Sequence, residues 1–591
     1  MKDHLQALLR EALVPLLAGT AVPAPEAIAV DATKDAKFGD FQTNLALTLA
    51  KPLGQPPRKL AEALVKNLPA SPRVAKVEIA GPGFINFFLA AGAFQALIPD
   101  ILAAGEKFGR DDSGSRGKIL VEFVSANPTG PMHVGHGRGA AYGDVISNVL
   151  AATGWQVLRE YYINDAGRQA DVLAASVWLR YLQALGESVD VPARGYPGEY
   201  IKVTAEKLRA RFGDGLSKPA VIVRAGLPPD AQAPEDASDA EKEKIKAQQE
   251  AYLDAIIARA RDLLGADYEK VQRLALDEQL AAIRKTLADF GVRFDVWTSE
   301  REIVASGKAR EALERLRAAG RVYEKDGAVW LKTQDAGDEK DRVLYKADGA
   351  ATYFANDLAY HVDKLDRGWP QLLDVWGADH HGYIARVRAA IEALTGRKDA
   401  LRVQLMQFVT LSSGRMGKRS GNFVTLQDLL DEAGRDATRF FYLSRSHDQH
   451  LEFDIDLARA QTNDNPVYYV QYACARIAAV FRQAAERGFG YERASALKEL
   501  ARLTETHEKD LLTVLGRYPE MLRNAAAQWS PHMLTFYARE LADAFHSYYN
   551  AHAFLVDDAA LRGARLALVE ASGTVLKNVL GLLGVSAPER M

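Results

Sequence analysis

Two histidines three residues apart, His133 and His136, lie in the glycine-bearing stretch MHVGHGRGAAYGD. Gly135 and Gly137 beside them lack the Cβ that would keep a ligand off the backbone. Apolar Val145, Ile146, Val149 and Leu150 follow at helical spacing, which puts the pair at a helix N-terminus. The unpaired N–H groups and dipole of such an end attract phosphate. A second cluster, LSSGRMGKRSGNFVTL, carries Arg415, Lys418 and Arg419 in a Ser/Gly-rich loop. Its cations suit a polyphosphate whose charge develops during reaction, and equally suit a solvated basic loop. In WGADHHGY, Gly377 and Asp379 end a buried-strand pattern, a place that serves ribose hydroxyls. Asp379, His380, His381 and His361 also compose a metal set on paper. Adjacent histidines diverge and HExxH-type spacing is absent, so no bound metal is expected. The chemistry these clusters share is that of nucleotides.

The elements that must position them read as an α/β fold. The run ILVEFV and residues Gln156 to Ile163 look like buried strands, which makes the histidine stretch a strand–loop–helix–strand unit. RVYEKDGAVWL reads as a hairpin around Asp326-Gly327, and TYF, LLDVWG and RVQLMQFV read as further strands. Their alternation with helical segments predicts a mostly parallel, Rossmann-like sheet over residues 117–425. A charge-dense, Pro-containing segment at about 188–265 interrupts it and predicts a solvated insertion facing outward. Residues 1–110 read as a separate α/β domain and residues 426–591 as an all-α bundle.

At 591 residues the chain needs several cores. It has no run of eighteen apolar residues, so no membrane span is expected, and its N-terminus has the acids and amphipathic pattern of a helix rather than of a secretory signal. A single cysteine, Cys474, excludes an intramolecular disulfide framework and a Cys-based zinc site, and points to the cytoplasm. The net charge of −3 says nothing about nucleic acid, because a near-neutral total can hide a basic face.

Taken together, HVGH and MGKRS resemble the HIGH and KMSKS motifs of class I aminoacyl-tRNA synthetases. VEFVSANPTGPMHVGHGRGAAYGD, REYYINDAGRQ, DGAVWLKT, TYFANDLAYH, NPVYYVQYACARI and the terminal LLGVSAPERM narrow the resemblance to bacterial-type arginyl-tRNA synthetases over nearly the whole chain. The resemblance implies ATP-dependent ligation of L-arginine to tRNA(Arg) through an arginyl-adenylate, with Mg2+ accompanying ATP, by a monomer. His133, His136 and Lys418 would then be catalytic. Arg415 stands where the motif's first lysine would be, which leaves its share of catalysis open. Gly135, Gly137, Gly377, Asp379 and Met416 would contact ATP. Glu122, Ser125, Asn127, Tyr353, Asp357 and His380 would hold arginine, although Asp357 read by itself is a helix N-cap. Phe84 and Asn86 in the N-terminal domain would meet the tRNA D-loop. Tyr468 and Tyr472, with Tyr469 and the terminal Met591, would stack on anticodon bases, helix-core packing being the alternative for the tyrosines.

Overall fold

The computed structural model describes the chain apart from residues 26, 34, 91, 233, 235–237 and 413–423. It divides into two compact units, Asp112–Ala460 and Met1–Asp111 with Gln461–Met591.

The first unit is built on five parallel strands, β1 (Gly117–Glu122), β2 (Trp155–Ile163), β3 (Val296–Ser299), β4 (Gln371–Gly377) and β5 (Leu401–Met406). Their order is β5-β4-β1-β2-β3. Ile119, Leu120, Val121, Leu372 and Leu373 are fully buried, which is why these strands read as continuous apolar runs. The chain leaves β1 for β2 on one side and later returns to β4 on the other. That reversal opens a crevice beyond the C-terminal ends of β1 and β4, the usual ligand site of such sheets. Helix α1 (Val134–Ala151) follows β1. It lies so close to the end of that strand that the Phe123 ring fills the space a side chain at Gly143 would need.

The insertion is a packed body and not a solvated arm. Helices α2 (Arg168–Ala184), α3 (Glu199–Phe212), α4 (Asp239–Leu264) and α5 (Asp267–Asp289) share one apolar core around Trp178, whose Nε1 donates to Leu216 O at 3.0 Å. The first half of α4 is exposed as its charge suggests, but Leu253, Ile256, Ile257, Ala260 and Leu264 form a buried stripe along its second half. The hairpin turns at Asp326 and Gly327, both at positive φ (53° and 75°), and a third strand, Arg342–Tyr345, completes a small antiparallel sheet. TYF is no strand. Thr352 caps a helix, α6 (Tyr353–Asp366), so the aromatic pair opens that helix instead. Helical structure also does not take over at 426, because β7 (Leu451–Phe453) pairs in parallel with β6 (Val409–Leu411) and carries the unit on to Ala460.

In the second unit, an antiparallel sheet of Asp31–Ala32, Phe41–Thr43, Phe84–Leu89 and Val74–Ala80 packs against helices Lys2–Leu17, Leu45–Leu53 and Pro57–Asn67. Within this unit, residues 1–110 contact the bundle of residues 461–591. Gln95 Nε2 donates to Leu503 O at 2.8 Å, Asn578 Nδ2 to Gly105 O at 2.9 Å, and Lys2 pairs with Glu520 at 2.9 Å. The helix Ala559–Leu583 is long and apolar enough to cross a membrane, but 72% of that apolar window is buried within the fold, as befits the central helix of a bundle.

Candidate active site

Beyond Glu122 the chain turns through Val124 and Ser125 at φ 68° and 39°, a left-handed region that a β-branched valine rarely enters. Ser125 N donates to Phe123 O at 3.0 Å, closing a three-residue turn. Ser125 Oγ holds it in place by donating to Glu122 Oε1 at 2.9 Å and accepting from Tyr162 N at 3.1 Å. Asn127, in the loop that follows, is exposed. His133 is the N-cap of α1, and its Nδ1 accepts from Gly135 N at 3.0 Å. His136 Nδ1 accepts from His133 N at 3.2 Å, and the two rings stack at 3.7 Å. An acceptor Nδ1 places the proton of each neutral ring on Nε2. Burial lowers both pKa values, that of His136 to about 3 with a contribution from His133. At neutral pH the helix end therefore carries two uncharged imidazoles whose remaining donor is Nε2–H.

The neighbouring glycines are required by packing. A Cβ on Gly135 would strike the His133 ring, so its absence lets that ring fold back as a cap. A Cβ on Gly137 would come within 2.7 Å of Leu426 Cδ1 and of the Tyr442 ring. Gly137→Ala should cost roughly 1–3 kcal/mol from overpacking, read as a shift in the denaturant midpoint at unchanged m-value. Buried Arg138, unmarked by any motif, donates to the carbonyls of Gln407 (2.9 Å), Ser446 (2.7 Å) and Gln449 (2.7 Å). It thus ties the histidine helix to the segments flanking β6 and β7.

The opposite wall is acidic. Glu122 and Asp374 face each other in register across β1 and β4. Lys364 Nζ, from α6, lies between them at 2.5 and 3.0 Å. His361 Nε2 reaches Asp374 Oδ2 at 2.9 Å, and its Nδ1 is 2.8 Å from Asp357 O and 3.6 Å from the Asp357 carboxylate. Burial by itself would lower Lys364, but Asp374 and Glu122 outweigh it and hold the ammonium above its usual value. Burial likewise opposes the ionised Asp374, yet Lys364 and His361 bring it down to about 2. His361 is lowered by burial and Lys364 but raised on balance by Asp374. Lys364 and His361 thus keep Asp374 ionised, while at Glu122 burial outweighs them and raises the pKa.

At Asp357, too, burial prevails over His361, Lys364 and a hydrogen bond from Tyr383. This aspartate lies one turn into α6, not at its cap, and burial foremost raises its pKa. Nearby Glu300, at the end of β3, is pushed up to about 7 by burial and by the charges of Asp165 and Asp357. With its amide turned to satisfy both atoms, Asn164 donates to Glu300 at 2.7 Å. Two carboxylates that resist ionisation in the same crevice mark a place waiting for a cation. Glu300 escaped sequence reading; the one available signal was its position just after a parallel strand. Tyr353, one turn ahead of Asp357, is 80% exposed. His380 and Asp379 sit just past β4 with side chains 61% and 66% exposed, paired at 3.6 Å. His361, with both nitrogens engaged, is no part of a metal set with them.

Comparison with known proteins matches residues 3–89 to the "Arginyl tRNA synthetase N terminal domain" and 97–190 with 240–455 to the "tRNA synthetases class I (R), catalytic domain". Residues 470–591 match the "DALR anticodon binding domain". The arginine–tRNA ligase of Thioalkalivibrio sulfidiphilus (strain HL-EbGR7) is 50% identical over 598 aligned positions covering all of both chains. The chain belongs to the arginyl-tRNA synthetase family. The arginine–tRNA ligase of Legionella pneumophila (strain Paris) is 48% identical, again over the full length of both. The solved arginyl-tRNA synthetase of Thermus thermophilus superimposes with a TM-score of 0.73 at 25% identity, covering all of both chains.

Within this synthetase fold, Arg415, Met416 and Lys418 lie outside the described residues. Phe84 is half-buried, and Asn86 is buried with its Oδ1 unpartnered among the described residues. Tyr468 and Tyr472 are half-buried and stacked at 6.2 Å, not sunk in the bundle core. Arg476 lies 4.5 Å over the Tyr472 ring and 4.6 Å over Tyr549, and Met591 is 53% exposed.

Proposed function

We propose that the crevice between β1 and β4 is where this chain attaches L-arginine to tRNA(Arg), through an arginyl-adenylate made from ATP. The observation that carries the reading is the pair of carboxylates, Asp357 and Glu300, whose ionisation burial opposes, in the crevice that also takes in the two neutral histidines of α1. A guanidinium is a planar fork of donors that matches paired carboxylates, and its charge relieves their repulsion. Asn127 and Ser125 take the amino and carboxylate end of arginine, while Tyr353 and His380 close over the substrate from the rim. Arginine's carboxylate oxygen then attacks the α-phosphorus of ATP. Pyrophosphate leaves with the bonding electrons, and the arginyl group passes to the terminal ribose of tRNA with release of AMP. His133 and His136 donate hydrogen bonds to phosphate oxygens as negative charge builds on them, aided by the N-terminus of α1. Lys418 and Arg415 supply cations for the departing pyrophosphate, Met416 packs against the nucleotide, and Gly377 and Asp379 face its ribose. Magnesium arrives with ATP as part of that substrate.

Phe84 and Asn86 meet the tRNA D-loop, and Tyr468, Tyr472 and Met591 receive anticodon bases; the half-buried stacked pair with its arginine supports this, since such platforms bind unpaired bases. The enzyme works as a monomer in the cytoplasm, where tRNA is charged. The test is exchange of labelled pyrophosphate into ATP, run with each amino acid, with and without tRNA(Arg). Exchange is expected with arginine alone among the amino acids. Exchange with a different amino acid, and none with arginine even when tRNA is present, refutes the reading.

A further inference from the structure

One continuous set of contacts joins the two ends of the proposed arginine pocket. Ser125 Oγ donates to Glu122 at 2.9 Å, Lys364 bridges Glu122 and Asp374 at 2.5 and 3.0 Å, and His361 links Asp374 at 2.9 Å to the Asp357 carbonyl at 2.8 Å. Its central side chains, Lys364, Asp374 and His361, are no more than 1% exposed, too deep to touch a substrate. The chain crosses β1, β4 and α6 and begins and ends on residues assigned to arginine. Buried ion pairs seldom gain stability over well-packed apolar groups, so filling the core does not by itself account for four charged groups here. Lys364 suits the centre: besides the two carboxylates, its ammonium lies 4.3 Å over the Tyr360 ring, so every direction it can donate toward is answered.

We propose that Lys364 is a positioning residue for arginine. Through Glu122 it fixes Ser125, and through Asp374 and His361 it fixes Asp357, so the two ends of the pocket are held at one separation. This rests on the assignment of Ser125 and Asp357 to the arginine pocket. The contacts on the ATP side, at the N-terminus of α1, stand outside the chain.

The test uses the full-length enzyme in tRNA charging, with Lys364→Met and Asp374→Asn made separately and thermal unfolding followed in parallel. Lys364→Met should raise KM for arginine about tenfold or more and leave KM for ATP within about twofold. Asp374→Asn keeps the shape and one acceptor oxygen, and should raise KM for arginine by about threefold or more. Combined with Asp357→Ala, Lys364→Met should cost less than the product of the two separate effects, because the two residues act through shared links. An unchanged KM for arginine in folded variants overturns the proposal, as does an equal loss for arginine and ATP, which marks a purely structural role. If Lys364→Met fails to fold, Asp374→Asn decides by the same criteria. Should Asp357→Ala by itself leave arginine affinity unaltered, the pocket assignment falls; a sensitive Asp357 with insensitive Lys364 and Asp374 sinks only the positioning role.

Discussion

Asp357→Ala lowers kcat/KM for arginine by about 10³-fold, the expected result of removing one partner from a buried charged pair at roughly 3–5 kcal/mol. Burial and the acidic surroundings raise the Asp357 pKa, so in the empty pocket its carboxylate is held at a cost. Arginine repays that cost by supplying a permanent cation in a fixed planar fork. Lysine repays less, since its ammonium is a point charge that cannot answer both Asp357 and Glu300 along two parallel directions. The mutant should therefore lose both affinity for arginine and discrimination against lysine. Its affinity for ATP, measured by equilibrium binding, should stay within about twofold, because the nucleotide contacts belong to a different set of residues. Wild-type arginine affinity in this variant would remove Asp357 from the pocket. The pH profile offers a second reading of the same site. Glu300, at about 7, binds a cation best when ionised, so KM for arginine should fall as pH rises from 6 to 8.

Much of the framework was legible because its signals are local. Ile119 to Val121 are β-branched or leucine and buried on both faces, and the stretch after them carries its own cap in the spacing of His133 and His136. What was not legible turned on a partner from far along the chain or on a competing local rule. Gly137 shows that a Cβ is missing, but that Leu426 and Tyr442 take its place follows only from a contact some 290 residues away. The aromatics of TYF favour a strand, yet the Thr352 side chain accepting from Ala355 N opens a helix there. In α4 the charge of the first half masked a buried stripe in the second. Lys364, Arg138 and Arg439 read as surface residues by type, and each is buried because carboxylates or carbonyls from other elements meet it. Glu300 belongs with these. Its side chain carries no mark of the burial and the neighbouring carboxylates that raise its pKa.

His136→Ala should reduce kcat for pyrophosphate exchange by about 10²–10³-fold, the range found when one hydrogen-bond donor is removed from a developing oxyanion. KM for arginine should hold, since the imidazole sits at the other end of the crevice from Asp357. The substitution also removes the acceptor that satisfies His133 N, so part of the loss is a loosened helix start. His136→Asn, whose side-chain oxygen can restore the cap and whose amide N–H can stand in for Nε2–H, should recover both the helix start and most of the rate. A kcat near wild type in His136→Ala would exclude the donor assignment. The direction of the pKa shift makes a further demand. Because His136 stays neutral down to about pH 3, its donor is present at every working pH, and no ionisation of this residue should appear in the rate profile between pH 5 and 8. Stability behaves differently. The unfolded chain takes up the proton near pH 6.5 while the folded chain refuses it until about 3, so stability is lost progressively as pH falls through that window. In His136→Asn that part of the acid sensitivity should vanish, measured as a flatter dependence of the denaturant midpoint on pH. The neutral, buried imidazole thus keeps its donor at every working pH at the expense of stability in acid.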